Sequence, residues 1–227
     1  MDASCGPGRG RGGGDNAAMT SPDLATRAVL FDLGGVLLEI DRERAVATWQ
    51  PHSRLPAARL RELFGVDEPF RRHETGRLDD AGYFGHLREL LALDCGLEHV
   101  EAGFNAILVR EIGETVSMLE ALRGRVPRYA ISNTNPAHVT QMRCAFPGFL
   151  ERFDRVFTSH EIGHRKPQPE CFAHVLQAIA LPANEVLLFD DLPPNVEAAR
   201  ALGLQAVLVK GPGDVRAALL ARGLLPS

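Results

Sequence analysis

Four strand-like segments of this sequence end in, or run directly into, polar residues that could do chemistry. One apolar run ends at Asp32, and two later runs end at Ser132 and at the acidic pair Asp190-Asp191. Lys166 follows the remaining run in a Gly-His-Arg-Lys-Pro loop. In an open parallel sheet, the carboxyl ends of the strands form the ligand crevice. We therefore expect these residues, distant in sequence, to converge at one edge of a sheet.

Each of these residues, taken singly, has an ordinary structural explanation. Asp, Ser and Asn after a strand are commonly turn or helix caps, and a lone lysine is most often a solvated side chain. The pair Asp190-Asp191 is harder to explain structurally, because adjacent carboxylates repel each other unless a cation neutralises them. Their occurrence together at successive strand ends favours a functional site.

Phosphoryl transfer through a covalent aspartyl phosphate is the chemistry that uses this set of residues. Asp32 would be the nucleophile. A hard cation, Mg²⁺, would lie between Asp32 and Asp190, with a backbone carbonyl and waters completing its oxygen shell. Ser132 and the amide of Asn133 would bind phosphate oxygens, and Lys166 would neutralise charge on the phosphate and the nucleophile.

The elements that must position these residues are short strands separated by amphipathic helices. This alternation predicts an α/β fold, a Rossmann-like parallel sheet buried on both faces and flanked by helices. The predicted strands are Ala28–Phe31, Arg128–Ile131, Arg155–Phe157, Val186–Phe189 and Gln205–Val209.

The chain divides by its composition into a tail, a core and an insert. Residues 1–22 form a Gly/Arg-rich tail without the apolar region of a signal peptide, and we expect this tail to be disordered. Residues 41–118 lack strand-like runs and show helical spacing of apolar residues, which predicts a small all-helical cap inserted after the first strand. Residues 23–40 and 119–227 are predicted to form the core domain.

Composition excludes several classes of function. The formal net charge is −4 and the pI is about 6.1, so no basic face for nucleic acid is indicated. The 4 cysteines lie far apart without a CxxC pair, which is typical of reduced thiols in a cytoplasmic protein. No apolar stretch is long enough to span a membrane. We expect a small phosphorylated metabolite as the partner, and a monomer is compatible with the sequence.

Four motifs in this order resemble the haloacid dehalogenase-like hydrolases, a family composed mostly of phosphatases. They read VLFDLGGVL, ISNTN, GHRKPQPECF and VLLFDDLPPNVEAARALG, and with the helical insert they cover nearly the whole chain after the tail. The insert resembles the small helical cap of one branch of the family. Within that branch, TWQPHSRLP and FRRHETGRLDDAGYF are similar to cap segments of bacterial α-D-glucose-1-phosphate phosphatases.

The resemblance implies a role for each matching position. Asp32 would be nucleophile and metal ligand, with the Gly34 carbonyl as a further ligand, and Lys166 would neutralise charge. Asp190 would bind metal, and Asp191 would bind it through water or orient the site. The predicted catalytic residues are Asp32, Ser132 and Lys166; the phosphate-binding residues are Ser132, Asn133, Lys166 and Gly35; and the metal ligands are Asp32, Gly34, Asp190 and Asp191. Asn195 matches a polar family position, but an N-cap explains it equally well.

One position departs from the family pattern. Phosphatases of this family usually carry a second Asp two residues after the nucleophile, which protonates the leaving group and then activates water, but this chain has Gly34. Relatives that resemble glucose-1-phosphate phosphatases also read DLG here. A sugar 1-phosphate leaves as a hemiacetal oxygen, which needs less protonation than an alkoxide, so this substrate class is our hypothesis.

Two other interpretations compete with a phosphatase. Dehalogenases of the family also lack the second Asp, but they need no metal and lack the acidic pair, so Asp190-Asp191 argues against them. A catalytically degenerate member that acts as a binding or regulatory module is the more serious alternative. A receiver-like domain carries its acidic pair at the first strand, whereas here the pair comes last.

The cap is expected to close over the phosphate and to supply the substrate contacts. The candidate residues are Trp49, His73, Glu74 and Arg77. An aromatic ring at position 49 could stack on a sugar, although a single tryptophan is more often core. His73 or Glu74 could supply the missing proton, and surface placement is the alternative for both. No pair of histidines has metal-ligand spacing, so zinc is not expected.

Overall fold

The computed structural model describes Met1 and residues 25–226. The predicted disordered tail, apart from Met1, lies outside the described residues. The strands are β1 Ala28–Phe31, β2 Leu38–Ile40, β3 Leu108–Glu111, β4 Arg128–Ser132, β5 Arg155–Thr158, β6 Val186–Asp190 and β7 Gln205–Leu208. The helices are α1 Arg42–Trp49, α2 Ala57–Leu63, α3 Glu68–Glu74, α4 Asp80–Leu90, α5 Leu97–Asn105, α6 Gly113–Ala121, α7 Pro136–Ala145, α8 Ser159–Ile162, α9 Pro169–Ile179, α10 Pro193–Ala201 and α11 Pro212–Leu220.

Five strands form one parallel sheet in the order β5-β4-β1-β6-β7. The predicted strands and the α/β fold class are therefore confirmed, with strand ends within one residue of the expectation. Because β1 lies between β4 and β6, the residues at the carboxyl ends of these three strands become neighbours. This order places Asp32, Ser132 and Asp190 side by side.

Both faces of the sheet are covered by helices, and the alternation of side chains along β1 explains why. Val29 and Phe31 pack into one core cluster with α6 and α11, whereas Ala28 and Leu30 pack into a second cluster with α9 and α10. Successive side chains of a strand point to opposite faces, so a continuous apolar run is needed for a strand buried on both sides.

Helices α1 to α5 form a cap with its own apolar core. Trp49 is fully buried at its centre, and its Nε1 donates a hydrogen bond to the Val100 carbonyl oxygen at 3.0 Å. Gly103 provides the space for this ring, because a Cβ there would lie 2.1 Å from the indole nitrogen. No helix in the described part of the chain is long and apolar enough to cross a membrane.

The connection between cap and core differs from the prediction in two respects. The expectation that no strand occurs within residues 41–118 is wrong, because β3 pairs antiparallel with β2 there. Val116 and Met118 of α6 belong to a core cluster of the sheet rather than to the cap. We propose that the cap ends before β3, and that α6 belongs to the core domain.

Candidate active site

The loop after β1 presents the Asp32 carboxylate to a cavity of about 430 Å³ between the sheet edge and the cap. The backbone N–H of Asp32 donates to the Phe189 carbonyl at 2.8 Å, which ties the loop to β6. Its Oδ1 accepts a hydrogen bond from the Leu33 N–H at 2.7 Å, and its Oδ2 lies 2.9 Å from Lys166 Nζ. Both carboxylate oxygens are therefore held in defined positions.

Lys166 and Asp190 form a buried ion pair beneath Asp32. Lys166 Nζ donates to Asp190 Oδ2 at 2.6 Å, and Asp190 Oδ1 accepts from the Leu192 N–H and from Asn195 Nδ2, each at 2.9 Å. Asp190 thus has donors on both oxygens and positions the lysine. The sequence left open whether Asn195 caps a helix. In the structure its side chain donates to Asp190, and Leu192 is the N-cap residue of α10.

The charges in this cluster do not balance. Burial raises the pKa of Asp32 to about 7, and Asp190 and Asp191 add to this effect although Lys166 opposes it. Burial, with Asp190, also raises the pKa of Asp191. Burial alone would lower the pKa of Lys166, but Asp32 and Asp190 more than offset this and raise it. One ammonium therefore faces three carboxylates, an arrangement that a bound cation would stabilise.

Three neighbouring carboxylates of this cluster could bind a divalent metal ion. Asp32, Asp190 and Asp191 each offer an oxygen, and these oxygens lie within 4.8 Å of one another. Carboxylate oxygens are the ligands that Mg²⁺ prefers in proteins. Lys166, Leu192 and Asn195 already engage both oxygens of Asp190, so within the acidic pair Asp191 is better placed to bind a cation directly.

The two glycines that follow Leu33 make room for different neighbours. Gly35 has a φ of +72°, and a Cβ there would lie 2.2 Å from Asp191 Oδ2, so the position requires glycine for both its backbone and its contact with the carboxylate. A Cβ on Gly34 would approach Ile40 Cγ1 at 3.2 Å. Ile40 therefore borders the space that a side chain at position 34 would enter.

Ser132 and Asn133 line the same cavity at the end of β4. The Asn133 side chain donates from Nδ2 to the Lys166 carbonyl at 2.9 Å and accepts the Lys166 N–H on Oδ1 at 2.8 Å. This reciprocal pair locks the lysine loop against β4. It also leaves the backbone amide, rather than the side chain, for the predicted phosphate contact of Asn133.

The cap supplies the opposite wall of the cavity, but not with most of the predicted residues. Of the four cap candidates, Glu74 lines the cavity, whereas Trp49, His73 and Arg77 do not. Trp49 is core, His73 is buried with its Nε2 2.7 Å from Asp80 Oδ1, and Arg77 is exposed. Trp49 therefore takes the core position that a single tryptophan most often has, and the alternative of stacking on a substrate finds no support.

Two arginines that line the cavity were not predicted from the sequence. Arg42, at the start of α1, is exposed as a residue, but its guanidinium lies 4.4 Å from the ring centroid of Phe64, and the burial of that group lowers its pKa. Arg165 lies next to Lys166, and its Nε is 2.7 Å from Glu74 Oε2. The sequence signal for Arg165 was its position inside the lysine motif, but only the fold shows that it contacts the cap.

Comparison with known proteins agrees with this geometry. Residues 26–203 match the family described as haloacid dehalogenase-like hydrolase. The D-ribitol-5-phosphate phosphatase of Bacteroides thetaiotaomicron is 26% identical over 199 residues, covering 83% of this chain and 94% of that protein. A sesquiterpene phosphatase of Aspergillus oryzae is 30% identical over 183 residues, covering 78% and 87%.

A solved structure is similar over nearly the same extent. It is a haloacid dehalogenase family enzyme from Bacteroides thetaiotaomicron in complex with magnesium and inorganic phosphate. That enzyme is 26% identical to this chain and superposes with a TM-score of 0.73, covering 82% of this chain and 95% of its own. The resemblance inferred from the motifs is confirmed, and the chain belongs to the haloacid dehalogenase-like hydrolase family.

Proposed function

We propose that this protein is a Mg²⁺-dependent phosphomonoesterase that acts on small phosphorylated metabolites through an aspartyl phosphate on Asp32. The observation that carries the proposal is the placement of Asp32 in a cavity, in contact with Lys166 and with Asp191 nearby. The phosphatase relatives and the magnesium-phosphate complex of the similar structure support it.

The residues of the site have separate tasks in the proposed reaction. The Leu33 N–H and Lys166 Nζ hold the carboxylate of Asp32 so that it faces the cavity for attack on phosphorus. The hydroxyl of Ser132 and the amide of Asn133 donate to phosphate oxygens, and Lys166 opposes their negative charge. Asp32, Asp191 and the Gly34 carbonyl would hold Mg²⁺, which would supply charge neutralisation at the phosphate.

A sugar phosphate such as glucose 1-phosphate is the proposed substrate. The Bacteroides relative named for D-ribitol 5-phosphate supports a polyol or sugar leaving group. The absence of a carboxylate at Gly34 favours an ester whose leaving oxygen departs easily, as the hemiacetal oxygen of a sugar 1-phosphate does.

A second substrate class is favoured by the apolar entrance of the cavity. Ile40, Val66 and Leu192 are 38%, 45% and 50% exposed, and all three line the cavity. Large exposed apolar side chains at a site entrance commonly contact a ligand. A prenyl or other apolar phosphate would use this entrance, and the name of the Aspergillus relative, a sesquiterpene phosphatase, points to the same class.

Phosphate release from a matched panel tests the function and separates the two classes. The panel comprises glucose 1-phosphate, D-ribitol 5-phosphate, farnesyl monophosphate and p-nitrophenyl phosphate, each with Mg²⁺ and with EDTA. Metal-dependent release that is abolished in Asp32→Asn supports the proposal, and the preferred ester identifies the class. No release from any ester by the folded protein would instead favour the degenerate binding module.

We propose a cytoplasmic location as well. The three cysteines within the described residues, Cys95, Cys144 and Cys171, are free thiols, which fits a reducing compartment.

A further inference from the structure

The proposed reaction leaves one requirement unmet by the core domain. An alkoxide leaving group needs a proton as its bond to phosphorus breaks, and the water that later hydrolyses the aspartyl phosphate must lose one. Gly34 has no side chain to perform either transfer. The inference below rests on the proposed phosphatase function and concerns which residue of this chain moves that proton.

Most titratable groups that line the cavity are already committed to other partners. Asp32 and Lys166 contact each other, and Asp191 lies in the carboxylate cluster. His138 is buried and stacked on Phe104 at 4.1 Å between ring centroids. Its Nδ1 lies 3.2 Å from Asn135 Nδ2, which can only donate, and its Nε2 lies 3.2 Å from the Phe104 carbonyl, which can only accept.

His138 is therefore a neutral imidazole with both nitrogens hydrogen-bonded. Burial lowers the pKa of His138 to about 4, in agreement with this assignment. It holds α7 against the cap and has no free nitrogen for proton transfer.

Glu74 is the remaining carboxylic acid of the cavity lining. It is the last residue of α3, on the cap, and is 5% exposed. Its Oε2 forms an ion pair with Arg165 Nε at 2.7 Å, without the alignment of a hydrogen bond, so this partner holds the carboxyl group at the cavity wall. The neighbouring His73 turns away from the cavity toward Asp80.

The turn after α3 fixes Glu74 against the core domain. Gly76 has a φ of +69°, and a Cβ there would lie 2.4 Å from the His160 carbonyl oxygen. The cap backbone therefore touches the start of α8, in the segment that leads to the lysine loop. This contact places the end of α3 beside Arg165 and Lys166 rather than in solvent.

We propose that Glu74 is the general acid and general base of the reaction, supplied by the cap in place of a carboxylate at position 34. In the first step Asp32 forms a bond to phosphorus, the bond from phosphorus to the ester oxygen breaks, and Glu74 gives its proton to that oxygen. In the second step the Glu74 carboxylate takes a proton from water as the water attacks phosphorus. The bond from phosphorus to Asp32 then breaks, which releases phosphate and restores both residues. Burial raises the pKa of Glu74, although Arg165 and Lys166 oppose this, which favours the protonated form that the first step needs.

The test compares leaving groups that differ in their need for a proton. Steady-state kinetics of wild type and Glu74→Gln are measured on p-nitrophenyl phosphate, whose phenolate leaves unprotonated, and on D-ribitol 5-phosphate, whose alkoxide does not. For Glu74→Gln we expect kcat/KM to fall by about 10² to 10⁴ on the alkyl ester and by less than tenfold on the aryl ester. Because hydrolysis of the aspartyl phosphate also slows, the aryl ester should show a burst of nitrophenolate of about one equivalent per enzyme.

Two further variants separate proton transfer from the shape of the cap. Asp80→Asn weakens the neighbouring His73 contact while leaving Glu74 in place, and it should preserve the wild-type ratio between the two esters. Glu74→Asp keeps a carboxylic acid and should recover part of the loss on the alkyl ester.

The outcomes distinguish this inference from the function on which it rests. An equal loss of kcat/KM on both esters in Glu74→Gln, or no loss on the alkyl ester, would overturn the role of Glu74 while the phosphatase function stands. Absence of metal-dependent turnover of both esters by the wild type would overturn the proposed function and this inference together.

Discussion

Replacing Lys166 with methionine should strongly lower the free energy of unfolding, because Lys166 contacts two carboxylates of the candidate active site. The side chain is 1% exposed, and its Nζ lies 2.6 Å from Asp190 Oδ2 and 2.9 Å from Asp32 Oδ2. Methionine keeps most of the apolar stem, so the main change is the loss of the charge. Breaking a buried ion pair by removing one partner costs about 3–5 kcal/mol, because the other charge stays buried without compensation.

The second contact adds less than the first, because one cation serves both carboxylates and neighbouring effects are not additive. We therefore expect a total loss of about 3–5 kcal/mol in the free energy of unfolding at pH 8. For a domain of this size, this corresponds to a fall in Tm of about 6–20 °C.

The loss in the free energy of unfolding caused by Lys166→Met should be smaller at lower pH. The pKa of folded Asp32 is raised to about 7 from its ordinary value of 3.8, so the folded state binds this proton more tightly than the unfolded state. Stability therefore decreases as pH rises from about 4 toward 7. Lys166 lowers the pKa of Asp32, so its removal extends this decrease to higher pH. At pH 6 the protonated Asp32 leaves only Asp190 uncompensated, and the difference from wild type should be smaller than at pH 8.

Urea denaturation with EDTA at pH 6 and pH 8 measures both effects. Arg27→Met is the matched control, since it removes one partner of an exposed pair with Glu185 at 2.9 Å and should cost less than about 1 kcal/mol. The double variant Lys166→Met/Asp190→Asn should recover part of the stability. A loss no larger than that of Arg27→Met at pH 8 would refute the view that the lysine compensates two buried carboxylates.

Four further substitutions test the glycines, the neighbour of Gly34 and the cap. Gly35→Ala should weaken Mg²⁺ activation in a metal titration, because its Cβ would displace Asp191, and should cost about 1–2 kcal/mol from left-handed backbone alone. Gly34→Asp should speed hydrolysis of alkyl phosphates more than of sugar 1-phosphates in parallel rate measurements. The gain should increase when Ile40→Ala removes the Cγ1 that a Cβ at position 34 would approach at 3.2 Å, and equal gains on both esters would count against the hemiacetal argument. Trp49→Ala should lower the free energy of unfolding by about 3–5 kcal/mol in urea denaturation, because it empties the centre of the cap.

The sequence predicted the central sheet well because its signals are local. Each core strand is an apolar run that a polar residue or turn ends, so the strand and the functional group at its end were visible together. The ribbon of β2 and β3 was missed, because its strands are only partly buried and contain charged residues, so neither shows a continuous apolar run. Such a strand exists only through tertiary pairing.

Assignments within the site divide in the same way. The motif alone indicated that Asp190 and Asp191 act together. It could not show that Lys166, Leu192 and Asn195 donate hydrogen bonds to Asp190, because the fold brings these groups together. Neighbouring residues on a helix point about 100° apart, so sequence could not decide between His73 and Glu74. The docking of the turn after α3 on the core decides which of the two faces the cavity.

The proposed position of the general acid on the cap, rather than at position 34, would change how the enzyme selects its substrates. A carboxylate at position 34 would lie on the same loop as Asp32, whereas Glu74 is held at the cavity by the contact of the turn after α3 with the core. Protonation of the leaving group then requires the closed cap, so an ester that prevents closure loses the proton as well as the cap contacts. Discrimination among alkyl phosphates should therefore appear mainly in kcat. Esters whose leaving group departs without a proton should be hydrolysed at rates that depend little on the shape of that group.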